Sequence, residues 1–320
     1  MAEVSPIVSI VTIFYNPPIG FFEEAIASVR AQTEPRWELL LVDDGSTDAS
    51  GDLARRAAAA DPRRIRVLTH EGGANRGMSA SRNAGIRAAR GEAIAFLDAD
   101  DVYLPEKLER QLAVLEAHPE VDVVYGPTPH WWSWSGQPED LGRDHVRRLG
   151  VEPDRIVRPP ALVSAFLEGR ADTPATCGVL VRATAIAAVG GFEPRFVDLY
   201  EDQAFFFKLL LGHTAFVEAR AWDRYRRHPA AMCEVRIRAG QHSDDDTPTA
   251  ARGAFLSWLE DHFRTANVTD PTLWRLLDRQ RRPFQHPHRY RLGRWLTNVA
   301  QSVFPAPIRR AARRFLGLRA

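Results

Sequence analysis

The chain has 320 residues, 45% hydrophobic and 26% charged, enough to build one large domain or one domain plus a smaller appendage. Forty-two basic residues against 41 acidic ones leave a net charge of +1, nearly all the positive charge being arginine, and no nucleic-acid partner is expected. Cys177 and Cys233 are isolated thiols without CxxC spacing, which excludes a zinc knuckle or a disulfide framework, and a cytoplasmic location is expected. Met1-Ala2-Glu3-Val4-Ser5-Pro6 lacks the basic and apolar regions of a signal peptide, and no window approaches the roughly 20 apolar residues that span a bilayer.

Residues 7–14 are a β-branched run followed by Tyr15-Asn16-Pro17-Pro18, which reads as strand then turn. Phe22, Ile26 and Val29 have helical spacing, and residues 37–42 form a second apolar strand that ends in Asp43-Asp44 before Gly45-Ser46. Thr47 or Asp48 caps an alanine-rich helix to about residue 60, residues 65–68 are a third strand, and residues 70–77 are a glycine-rich loop. A helix over about 79–89 leads into Gly91-Glu92-Ala93-Ile94-Ala95-Phe96-Leu97-Asp98-Ala99-Asp100-Asp101.

That last stretch organises the chain, because an apolar run too short for a helix stops in three carboxylates. Carboxylates crowded together repel, and holding several ionised calls for a cation or strong hydrogen-bond donors. Oxygen ligands with few protein contacts suit Mg²⁺ or Mn²⁺ carried in with substrate phosphates better than zinc. An isolated acidic pair would be read as a cap for the helix that Pro105 and Glu106 open. Here a second strand also ends in aspartates, and in an open doubly wound α/β sheet the carboxyl ends of the strands are where ligands bind.

Beyond Pro105, Leu108, Leu112 and Leu115 share one helical face, and residues 121–125 form a fifth strand. His130-Trp131-Trp132-Ser133-Trp134 opens an insertion to about residue 160, whose tryptophans either stack on a sugar or close a satellite core. Residues 176–181 read as a strand, Gly190-Gly191-Phe192 as a tight turn, and Glu201-Asp202 as the start of an apolar helix. Residues 214–217 and 221–225 are the last strands. From Met232 onward the pattern is helical, with a loop at 241–249. In the tail, Leu292, Trp295, Leu296, Val299 and Val303, then Ile308, Ala312, Phe315 and Leu316, oppose arginines in the pattern of an interfacial helix.

Taken together, Val8-Ser9-Ile10-Val11-Thr12-Ile13-Phe14-Tyr15-Asn16, Val42-Asp43-Asp44-Gly45-Ser46-Thr47-Asp48, Ser81-Arg82-Asn83-Ala84-Gly85, Phe96-Leu97-Asp98-Ala99-Asp100-Asp101 and Gly190-Gly191-Phe192 followed by Glu201-Asp202 closely resemble family 2 glycosyltransferases. The resemblance covers about residues 5–230. It implies the GT-A fold, a mixed doubly wound sheet, with residues 1–104 as the nucleotide-sugar-binding half, 105–230 as the acceptor half and 231–320 as a helical, arginine-rich extension. It also implies a nucleotide-sugar donor, Mn²⁺ or Mg²⁺, and inversion at the anomeric carbon.

Carried over by position, Tyr15 and Asp44 contact the base, Asp44 accepting from a uracil or thymine imide. Asp98 holds the ribose side, and Arg82 partners this acidic rim or the phosphates. Asp100 ligates the metal, His228 supplies a further ligand, and Asp202 is the catalytic base. Ile13 and Phe14 stand where relatives often have Pro-Thr, which removes a side-chain hydroxyl.

The Asp98-Ala99-Asp100-Asp101 motif also resembles the D-x-D-D acid of class II terpene cyclases, but those are all-helical. Sugar nucleotidyltransferases share the fold class, yet their glycine-rich signature is missing from residues 7–30. A non-catalytic sugar-nucleotide-binding or scaffold protein is the remaining alternative. The expected acceptor is a saccharide or lipid-linked saccharide, with peripheral contact to the inner membrane face through the tail, and an oligomer is compatible with the pattern.

Overall fold

A computed structural model describes residues 5–241, 248–288 and 290. The chain divides into two compact units, one through Ala239 and one from Gly240.

In the first unit β1 (Val8–Phe14), α1 (Ile19–Arg30), β2 (Trp37–Asp43), α2 (Ser50–Ala60), β3 (Ile65–Thr69), α3 (Met78–Ala88) and β4 (Ala93–Phe96) alternate strand and helix. Every residue of β1, β2 and β4 is buried, which is why these strands read as largely apolar runs and not as an alternation. Phe22, Ala25, Ile26 and Val29 form the buried face of α1, at the spacing that keeps side chains on one side of a helix. The α2 helix begins at Ser50, whose N–H donates to Asp48 Oδ1 at 3.0 Å.

The remaining elements of this unit are β5 (Val102–Tyr103), α4 (Lys107–Ala117), β6 (Val123–Tyr125), β7 (Pro129–Trp131), β8 (His145–Val146), β9 (Arg155–Val157), α5 (Ala161–Glu168), β10 (Val179–Arg182), α6 (Ala183–Val189), α7 (Glu201–Gly212), β11 (Ala215–Val217), β12 (Asp223–Arg226) and α8 (Met232–Arg238). The main sheet has the order β3-β2-β1-β4-β10-β6-β11-β9. Its first four strands are parallel, and β10 runs antiparallel to both β4 and β6. A smaller sheet, β5-β12-β7-β8, carries the segment that leads to His228. The fold is the α/β mixed sheet of the GT-A type, as the sequence predicts.

The insertion at 130–160 begins in β7 and contributes β8 and β9; β8 has only two residues and β9 three, too short to show a period. One expectation is corrected. The strand expected over 176–181 opens instead as a 3-10 turn, Thr176–Gly178, and pairs only from Val179.

The second unit contains α9 (Ala250–Thr265) and α10 (Pro271–Gln285). Thr249 caps α9 by accepting from Arg252 N–H at 3.2 Å, and Asp270 caps α10 by accepting from Thr272 N–H at 2.7 Å. Phe263 meets Trp274 edge to face at 5.6 Å between the two helices. The interfacial pattern expected from residue 292 onward, and most of the loop expected at 241–249, lie outside the described residues. Among the described residues no helix is long and apolar enough to cross a membrane.

Candidate active site

The carboxyl ends of β1, β2 and β4 share one rim of the sheet, because their register sets Phe14 beside Asp43 and Val11 beside Phe96. At the first of these ends Asn16 takes a positive φ of 46°, and its Oδ1 accepts from the N–H groups of Thr47 (2.8 Å) and Asp48 (3.3 Å). The turn after β1 is thus bound to the turn after β2. Tyr15 stands 54% exposed on this rim. Asp44, by contrast, is buried: Oδ1 accepts from Arg76 N–H at 2.7 Å and Oδ2 from Gly77 N–H at 3.0 Å. His70 Nε2 lies 3.4 Å from Asp44 Oδ1 and 2.8 Å from Ser81 Oγ. A carboxylate has about four lone-pair sites, so Asp44 keeps acceptor capacity beyond these two bonds. Gly45 is required here, since its φ is 84° and a Cβ would come within 2.7 Å of Gly73 O.

The Ser81-Arg82-Asn83-Ala84-Gly85 segment on α3 ties this rim to the acceptor half. Asn83 clamps the turn after α6 with a reciprocal pair, Nδ2 donating to Phe192 O at 2.9 Å and Oδ1 accepting from Phe192 N–H at 2.8 Å. Phe192 stacks on Phe205 of α7 at 4.2 Å. Gly85 lets α3 lie against β1, for a Cβ would sit 2.4 Å from Val11 Cγ1. Arg82 is buried beneath Phe192 and bridges two carboxylates, donating to Asp98 Oδ1 at 2.8 Å and to Glu201 Oε1 at 3.2 Å.

One guanidinium therefore serves Asp98, Glu201 and the adjoining Asp202, which cannot all ionise without leaving excess buried negative charge. Burial, with the charge of Asp202 second, pushes Glu201 up to about 8, so at neutral pH it carries the proton. Asp202 is half-buried, and burial raises it above the ordinary aspartate value. Its Oδ1 accepts from Gln203 N–H at 2.6 Å, at the N-terminus of α7 where the helix dipole favours a carboxylate.

The three aspartates that follow β4 separate into three environments. Asp98 meets Arg82. Asp100 Oδ2 meets His228 Nε2 at 3.0 Å, two residues past the end of β12. Asp101 turns inward, fully buried, with Oδ1 accepting from Arg226 N–H at 2.8 Å. Burial first, and then the charges of Asp100 and Asp98, hold its carboxyl well above the usual range. The crowding expected from the sequence is relieved by giving each carboxylate its own partner, Arg82 for Asp98, His228 for Asp100 and the Arg226 N–H for Asp101.

The tryptophans of the insertion pack around Arg226. Its guanidinium lies 4.3 Å from the Phe21 ring centre, 4.6 Å from Trp131 and 5.5 Å from Trp134, and its Nε donates to Asp100 O at 2.7 Å. Phe21 in turn contacts Trp134 at 4.9 Å and His228 at 5.0 Å, both edge to face. So Trp131 and Trp134 brace the Asp100–His228 pair, which is the packing alternative of the two the sequence left open. Trp132 is covered by Arg143 at 3.5 Å. Asn83, Glu201 and Arg226 were not identified as site residues from sequence. Asn83 and Glu201 belong to motifs whose other members drew attention, whereas Arg226 is one arginine in a basic run and carries no signal of its own.

Residues 9–149 match the family model described as Glycosyl transferase family 2. These residues belong to glycosyl transferase family 2. The family 2 segment contains Tyr15, Asp44, Arg82, Asp98 and Asp100, while Asp202 and His228 lie beyond it. A putative teichuronic acid biosynthesis glycosyltransferase, TuaG of Bacillus subtilis, is 38% identical over 112 residues, which is 35% of this chain and 43% of that protein. An uncharacterized protein of Sinorhizobium fredii, y4gI, is 39% identical over 182 residues, 51% of this chain and 19% of that protein. The chain spans less than half the length of the curated relatives it matches.

Among solved structures, the mannosyltransferase PcManGT from Pyrobaculum calidifontis in complex with GDP-Man and Mn²⁺ superposes with a TM-score of 0.58 at 18% identity, covering 98% of this chain and 79% of that one. S. aureus TarS 1–349 in complex with UDP-GlcNAc superposes at 0.56 with 21% identity, covering 80% and 72%. At these identities the likeness shows the fold.

Proposed function

We propose that this family 2 chain is an inverting, metal-dependent glycosyltransferase that moves a sugar from a nucleotide-diphosphate sugar, a UDP- or dTDP-sugar, to an acceptor hydroxyl in surface polysaccharide or glycolipid assembly. The observation that carries the reading is the meeting of Asp100 and His228, 128 residues apart, at the end of β4. A carboxylate oxygen and an imidazole nitrogen 3.0 Å apart are two donors fit for one Mn²⁺ or Mg²⁺. No group of three or more such side chains occurs among the described residues, so the remaining ligands would have to come from water and substrate phosphates. Such an ion, once bound, stabilises the charge that grows on the leaving diphosphate.

The chain's own residues supply the rest. Asp44 and Tyr15 receive the base, and Asp98, held by Arg82, receives the ribose. Asp202 takes the proton of the acceptor hydroxyl as the acceptor oxygen bonds to the anomeric carbon and the bond to the diphosphate oxygen breaks on the opposite side. The UDP-GlcNAc bound by TarS and the GDP-Man and Mn²⁺ bound by PcManGT support a nucleotide-sugar donor and a divalent cation, and the choice of uridine or thymidine rests on the imide-accepting role assigned to Asp44. The teichuronic acid relative supports a polysaccharide acceptor. The arginine-rich tail would dock on the anionic inner membrane face, where each basic residue contributes about 1 kcal/mol.

A thermal-shift screen of UDP-, dTDP- and GDP-sugars, with Mn²⁺ and with EDTA, tests the binding half of the proposal, since a ligand selective for the folded state raises its melting temperature. A rise with a UDP- or dTDP-sugar that needs Mn²⁺ is expected. No rise with any donor would refute the donor assignment.

A further inference from the structure

We infer that Glu201 is a positioning residue: its contact with Arg82 fixes the start of α7, and so the place of the Asp202 carboxylate, relative to Asp98 on the donor side. The inference rests on the glycosyltransferase reading and deepens it. Four observations carry it. Glu201 and Asp202 are the first two residues of α7, which follows a Tyr200 at a positive φ of 66°, a backbone conformation that packing must hold in place. Glu201 is 6% exposed, so it is shielded from substrate, whereas Asp202 is part-exposed. Arg82, 2% exposed, spans the gap with one nitrogen on Asp98 and the other on Glu201. Phe192, clamped by Asn83, lies over the guanidinium at 5.2 Å and packs on α7 through Phe205.

The chemistry explains why one link should join the two sides. An acceptor oxygen must attack along the line opposite the leaving diphosphate, so the base and the donor have to be held in one frame. A misplacement of about 1 Å costs on the order of 10²-fold in rate. Arg82 is a rigid planar fork suited to holding two carboxyl groups at fixed spacing. Arg82 reaches Glu201 at one oxygen, Oε1, so reach and not charge is the property inferred to matter.

Reach and charge are separated by two substitutions. Glu201→Gln keeps the length and an oxygen acceptor but removes the carboxylate. Glu201→Asp keeps the carboxylate but is one methylene too short to reach Arg82. Steady-state turnover of UDP-GlcNAc, and of any other donor that the screen selects, is measured with Mn²⁺ on the full chain, with melting temperatures as the check on folding. The expected result is that Glu201→Gln retains kcat within about threefold, while Glu201→Asp loses on the order of tenfold to a hundredfold with donor KM within about twofold.

The reverse order, with Asp active and Gln impaired, would show an acid–base or charge role and overturn the inference. So would unchanged kcat in Glu201→Asp, or a change confined to donor KM. A wild-type chain that turns over no donor would instead overturn the glycosyltransferase reading, and the inference with it.

Discussion

His228 Nε2 stands 3.0 Å from Asp100 Oδ2, joining the segment after β4 of the main sheet to the segment after β12 of the smaller one. If the pair is a metal site, removing either partner should weaken Mn²⁺ by more than the 10–100-fold typical of losing an outer-shell group. Asp100→Asn and His228→Ala are expected to abolish the Mn²⁺-dependent part of nucleotide stabilisation, read by calorimetry with UDP. Far-UV circular dichroism should be unchanged. Wild-type Mn²⁺ affinity in both variants would remove these residues from the metal site.

Asp202→Asn separates donor binding from chemistry. The proposed base would act on the acceptor, so UDP affinity should stay near normal while kcat falls by roughly 10²-fold or more. The wild-type rate should also decline at acid pH with a limb displaced above the ordinary aspartate range, because burial raises the Asp202 carboxyl. Parallel loss of UDP affinity and turnover would make Asp202 a binding or structural residue.

Stability should respond to Glu201 with a definite sign. Its carboxyl is raised from 4.5 to about 8 in the folded chain, so between those values the native state binds a proton that the unfolded chain has lost. Stability from this group therefore falls as pH rises through that window, and is lost above about 8. Glu201→Gln mimics the protonated form and should gain on wild type between pH 5.5 and pH 8.5, measured as the difference in urea midpoint. A difference that shrinks or stays constant with rising pH would contradict the assignment.

Gly85→Ala tests the seating of α3 on β1. The new methyl would fall 2.4 Å from Val11 Cγ1, and such overpacking costs about 1–3 kcal/mol. Thermal unfolding should show a drop of a few degrees. Adding Val11→Ala should recover part of it. Unchanged stability in Gly85→Ala would mean that α3 does not pack as described.

The parallel half of the sheet was readable from sequence because β1, β2 and β4 are buried along their whole length and leave largely apolar runs that stop at polar turns. The strands of the insertion were not, because two- and three-residue strands such as His145–Val146 and Arg155–Val157 are made by pairing and carry no period. The same contrast holds in the site. Aspartates at strand ends announce themselves locally. The link from Arg82 to Glu201 spans 119 residues, and the role of Arg226, which supports both Asp100 and Asp101, is created by the fold.

The most direct test of the account is nucleoside diphosphate release from UDP-GlcNAc, a dTDP-sugar and GDP-mannose by wild type, Asp100→Asn and Asp202→Asn, each with Mn²⁺ and with EDTA. The account predicts release by wild type from at least one uridine or thymidine donor, dependent on Mn²⁺ and lost in both variants. Release that persists in EDTA or in Asp100→Asn would contradict the metal site. Binding without release from any donor would make the chain a nucleotide-sugar-binding protein instead of an enzyme.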